Sequence, residues 1–74
     1  MAREYIAAYK DGSQFLTFAG QNVQHARGEL DFADAYEEFI DAKDNTHARP
    51  VMLTRENGKA WRQMSAGDMR RAAN

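Results

Sequence analysis

Seventy-four residues with a net charge of −1 and no cysteine make a single domain, residues 1–74, because a chain this short buries only about 60% of its unfolded surface and cannot split that core in two. The missing cysteines exclude disulfides, thiolate zinc sites and thiol nucleophiles, and they suit a reducing, cytoplasmic setting. With 43% hydrophobic residues the composition is that of a folded chain whose core stability is modest, on the order of 3 to 5 kcal/mol.

The small net charge conceals a segregation. Residues 1–28 carry +1, residues 29–45 carry −6 and residues 46–74 carry +4. Such asymmetry points to surface recognition more than to a fold. The opening "MAREYIAAYK" has charges within its first four residues and no long apolar run. It therefore reads as neither signal peptide nor membrane anchor, and a soluble chain with no membrane partner is expected.

"REYIAAYK" (3–10) is aromatic and aliphatic and runs into "DG", so it reads as a strand entering a two-residue turn at Asp11-Gly12. The return strand is "SQFLTFA" (13–19), pairing Tyr9 with Gln14, Ala7 with Leu16 and Tyr5 with Phe18. Tyr5, Tyr9, Leu16 and Phe18 share one face; Ile6, Ala8, Phe15 and Ala19 share the other. Two apolar faces both need cover, one from the domain's own helix and one from a terminal segment or a partner, which raises a homodimer. "GQNVQHARGE" (20–29) reads as a turn and then a short edge strand.

"LDFADAYEEFIDAKDN" carries the clearest pattern. Asp31 caps a helix by accepting the amide of Asp34, and Phe32, Ala35, Tyr36, Phe39, Ile40 and Lys43 recur at helical spacing on one face. Asp34, Glu37, Glu38 and Asp41 fall on the outer face. Pro50 would disrupt a continuing helix, and "PVMLTRE" begins a strand. Asn57-Gly58 then predicts a two-residue hairpin, placing Met52, Thr54, Lys59 and Trp61 on one face and Val51, Leu53, Ala60 and Met64 on a core face with Arg55 and Arg62. "SAGDMRRAAN" permits a short helical turn capped by Ser65 or Asp68. The fold class is therefore α+β: one helix on an antiparallel sheet of four or five strands, β-β-(β)-α-β-β, with a short C-terminal helical turn.

No catalytic, cofactor or metal signature is present, and the chain does not read as an enzyme. His25 and His47 have no second ligand at a recognised spacing, and Ser13 and Ser65 have no base placed by sequence. Glu37 and Asp41, four apart, lack anything that would make them an acid/base pair. The acidic ridge Asp34, Glu37, Glu38 and Asp41 would steer a basic protein partner or imitate nucleic-acid phosphates; equally, it is what a solvated helix face looks like. Trp61 and Met52 would form an apolar anchor for a protein partner, unless Trp61 packs under the C-terminal turn against Met69. Lys59, Trp61, Arg62, Arg70 and Arg71 are the alternative, a basic and aromatic set suited to nucleic acid. The sequence pI of about 6.1 argues against that alternative.

In layout, a very small hairpin-helix-hairpin chain with an acidic helix and no cysteine, the sequence resembles the phage-encoded inhibitors of host machinery, anti-CRISPR proteins among them. The resemblance follows element order and no specific residues. It implies a stoichiometric protein-binding inhibitor or regulator of a larger, nucleic-acid-handling complex.

Overall fold

The computed structural model describes residues 2–45 and 49–74. His47 lies outside the described residues. β1 (Arg3–Asp11) and β2 (Gln14–Thr17) form the first hairpin; α1 (Phe32–Asn45) follows; β3 (Pro50–Glu56), β4 (Arg62–Gln63) and α2 (Ala66–Ala73) complete the chain. The sheet is antiparallel with order β2-β1-β3-β4. It is α+β, with one main helix and a short C-terminal one. β1 and β3 pair over seven positions, from Arg3 opposite Glu56 to Tyr9 opposite Pro50. The proline opens its strand, where a missing ladder donor is tolerated.

Both hairpins depart from the registers expected of two-residue turns. In the first, Asp11 pairs with Gln14 and Tyr9 with Leu16, so the turn residues are Gly12-Ser13 and the pairing moves by two. Within this turn only Gly12 adopts positive φ, 65°, and among the described residues no side-chain-bearing residue does. A turn at Asp11-Gly12 of the kind with two positive φ angles would have strained Asp11; glycine in the first central position avoids that. A shift of two preserves the faces. Tyr5, Ala7 and Phe18 lie on the helix side, with Ile6, Ala8 and Phe15 opposite.

The second hairpin slips by one, and the consequence is larger. Gly58 has φ 80° and the Lys59 amide donates to the Glu56 carbonyl at 2.9 Å. That turn needs positive φ only at its third residue, and a longer loop follows before Arg62 pairs with Thr54 and Gln63 with Leu53. A one-residue slip reverses every side chain of the returning strand. Arg62 and Met64 therefore join Met52 and Thr54 on the helix side, and Trp61 joins Val51, Leu53 and Arg55 on the other.

Each sheet face carries its own core. Below α1 and α2 sit Ala7, Met52 and Met64 from the sheet with Phe32, Ala35 and Phe39 from α1. On the opposite face Ile6, Ala8 and Leu53 meet Val23 and Ala26. The segment 20–29 supplies that second cover. Where a strand was expected it makes a single 3-10 turn, Val23–His25, started by Asn22, whose side chain accepts the Gln24 amide. It touches the sheet through isolated bridges, Leu16 with Asn22 and Tyr5 with Glu29. The need for a partner to cover the second face is thus met within the chain.

Candidate functional site

Asp31 precedes α1 and its carboxylate accepts the Ala33 amide at 3.0 Å, one residue earlier than the expected Asp34. Phe32, Ala35, Phe39 and Ala42 are buried. Asp34, Glu37, Glu38 and Asp41 are all exposed, as expected of a helix whose apolar stripe is so regular. Among the described residues none of the four makes an ion pair, whereas Arg3, Arg55, Arg62 and Arg71 pair with Glu56, Glu4 and Asp68. Of the bases in the second half, Arg55, Arg62 and Arg71 pair with Glu4 and Asp68 and none of these three with the ridge. Beside the ridge, Tyr36 is 40% exposed and stacks between Phe32 and Phe39, with centroids at 5.4 and 5.8 Å. Lys43 stands 5.6 Å over the Phe39 ring. These side chains form one wall of a shallow groove between α1 and α2 that Met69 and Arg70 close from the other side.

The apolar anchor expected of Trp61 and Met52 is not a surface feature. Met52 is 1% exposed and belongs to the core under α1. Trp61 is half-buried on the other face, away from Met69 and α2. Its indole N–H donates to the Val23 carbonyl at 3.0 Å, and the Arg55 guanidinium lies 4.3 Å from its ring centroid. Arg55 in turn donates from Nε and Nη2 to the two oxygens of Glu4, at 3.0 and 3.2 Å, and the Gly28 amide donates to the same carboxylate at 2.9 Å. These bonds, Arg55's first and Gly28's second, hold the Glu4 carboxyl below its ordinary range against the opposing effect of burial. Gly28 has no room for a side chain: a Cβ there would lie 2.6 Å from Cη2 of Trp61 and 2.9 Å from the Tyr5 carbonyl oxygen. Trp61 is therefore covered by its own chain. Arg55, Glu4 and Gly28 escaped sequence reasoning because only the one-residue slip in the second hairpin brings them to the indole.

The alternative set is dispersed. Lys59 and Trp61 line a groove on the face away from the helices. Arg62 and Arg71 converge on Asp68, and Arg70 borders the groove between α1 and α2. Asp68 is also the third residue of a capping box: Ser65 Oγ accepts its amide and its carboxylate accepts the Ser65 amide. The Ser65 amide first, then Arg62, hold the Asp68 carboxyl down at about 2.

Among the described residues no helix is long and apolar enough to cross a membrane, and no three acidic or histidine side chains gather as metal ligands would. No protein-family model, curated protein or solved structure matches the chain.

Proposed function

We propose that the chain is a non-enzymatic protein-binding module, a stoichiometric inhibitor or regulator of a larger, nucleic-acid-handling complex, and that the outer face of α1 is its contact surface. One observation carries this reading: Asp34, Glu37, Glu38 and Asp41 stand exposed and unpaired among the described residues, while Arg3, Arg55, Arg62 and Arg71 pair with other acids. A one-sign ridge of this kind attracts a basic partner surface and accelerates encounter. Exposed Tyr36, an amphipathic ring at the border of the ridge, is suited to the centre of such a contact. The phage or mobile-element origin draws its support from the resemblance in layout alone. The case for a homodimer weakens, since residues 20–29 cover the sheet face that would have needed one. The nucleic-acid reading is weaker too, because its five side chains occupy three separate places and two are paired with Asp68.

The test is affinity capture of the partner with the tagged protein, followed by association kinetics at several salt concentrations. Glu37→Lys with Glu38→Lys should slow association and flatten its salt dependence while leaving the circular dichroism spectrum unchanged. An unaltered on-rate and salt slope would remove the ridge from the interface. Captured material that vanishes on nuclease treatment would favour the nucleic-acid alternative.

A further inference from the structure

The sheet face opposite the helices carries a groove of about 470 Å³, well within the range of small-molecule sites. Phe15, Val23 and Trp61 are among its apolar lining residues. Its rim carries Gln14, Gln24 and Lys59. Among the described residues no carboxylate lines it, in a chain with eleven acids. The two cations there differ. Arg55 is spent on Glu4, whereas Lys59 is exposed and makes no ion pair among the described residues.

The amides are differently committed as well. Asn22 is consumed internally: its NH2 donates to Gln14 Oε1 at 2.8 Å and its oxygen accepts the Gln24 amide at 2.9 Å. This fixes the groove's edge and leaves the Gln14 NH2 and the whole Gln24 carboxamide without a partner among the described side chains. The rim therefore offers one positive charge, two donor-rich amides and an acceptor, next to an aromatic ring on Phe15. A flat heterocycle with mixed donor and acceptor edges, joined to an anion, satisfies all of these together.

We propose that this groove binds a mononucleotide, with the base against Phe15, its edge read by Gln24 and Gln14, and the phosphate on Lys59. The ligand is either a free nucleotide or the terminal nucleotide of a single strand; the recognising chemistry is the same. This site lies across the sheet from α1 and stands independently of the protein contact proposed there.

The chain's only tryptophan sits in the groove wall and reports on it directly. Titration of the full chain with AMP, adenosine, inorganic phosphate and a 5′-phosphorylated trinucleotide, followed by Trp61 fluorescence and amide NMR shifts, is the experiment. AMP should move the Trp61 indole, Lys59 and Gln24 signals in a saturable way, with adenosine weaker. Lys59→Glu should weaken AMP by roughly tenfold or more, the worth of one lost charge-assisted contact, and Arg3→Gln, on the helix side of the sheet beside Thr54 and Met64, should leave it unchanged. A trinucleotide that saturates at lower concentration than AMP assigns the ligand to a strand end; the reverse order assigns it to the free nucleotide. The proposal is overturned if AMP produces no saturable shift, if phosphate alone reproduces it, or if Lys59→Glu binds AMP as well as the parent does.

Discussion

Gly28→Ala tests how Trp61 is held. The added methyl would sit 2.6 Å from Trp61 Cη2, 2.9 Å from Glu4 Cβ and 2.9 Å from the Tyr5 carbonyl oxygen. The indole can shift only by leaving the Val23 carbonyl and the Arg55 guanidinium. The other two atoms belong to β1, an interior strand that cannot retreat. Overpacking of this kind costs about 1 to 3 kcal/mol. The smaller conformational freedom of alanine in the unfolded chain returns about 0.4 to 1 kcal/mol. The net destabilisation centres on about 1.3 kcal/mol, a drop in Tm of roughly 5 to 10 °C for a domain this size. Urea unfolding followed by far-UV circular dichroism gives the free energy, and Trp61 fluorescence shows whether the indole has moved into water. Adding Trp61→Phe removes the Cη2 contact but leaves both β1 contacts, so it should recover only part of the loss. A Gly28→Ala protein within about 0.5 kcal/mol of the parent, the range of an ordinary surface change, would refute the packing described around the indole.

Met52→Ala should cost about 2 to 5 kcal/mol by cavity formation, with no direct effect on partner affinity in molecules that remain folded; a near-neutral result in urea unfolding would return Met52 to the surface. Ser65→Ala should remove about 1 kcal/mol of capping from α2, seen as increased exchange of the Met69 and Arg70 amides, and unchanged exchange would deny the capping box a role. The Asp68 carboxyl is held near 2 against an ordinary 3.8. Its contribution is therefore complete above about pH 4 and lost as pH falls through about 2, so α2 amide protection should decline over that window and not between pH 5 and 8. Glu4, also held below its ordinary value, adds an acid-side loss of the same sign, and an Arg55→Met variant should show a shallower acid limb in the pH dependence of its urea midpoint.

Much of the architecture is legible in the sequence. The stripe Phe32, Ala35, Tyr36, Phe39, Ile40 and Lys43 and the turn residues Gly12 and Gly58 mark a helix between two hairpins, because helical periodicity and positive φ are local properties that a short window expresses in full. The exposure of Asp34, Glu37, Glu38 and Asp41 follows from the same periodicity. The faces of the first hairpin survived a wrong register, since a shift of two keeps side-chain parity.

Tertiary structure decided what the second hairpin presents. Asn57-Gly58 announces a turn but not its type, and the type with one positive φ rather than two adds a residue to the returning path. That single residue sends Met64 under the helices and Arg62 to the exposed edge of the same face, and it brings Trp61 to Arg55, Glu4 and Gly28, which are scattered through the chain. The segment 20–29 lies across the second sheet face as a 3-10 turn because Val23 and Ala26 bury there against Ile6, Ala8 and Leu53. Its own residues make a weak strand signal, and only the apolar face left open by β1 and β3 gives them something to cover. Local pattern sets which elements form; which side chains meet depends on the register between strands far apart in sequence, and one residue in a loop is enough to change it.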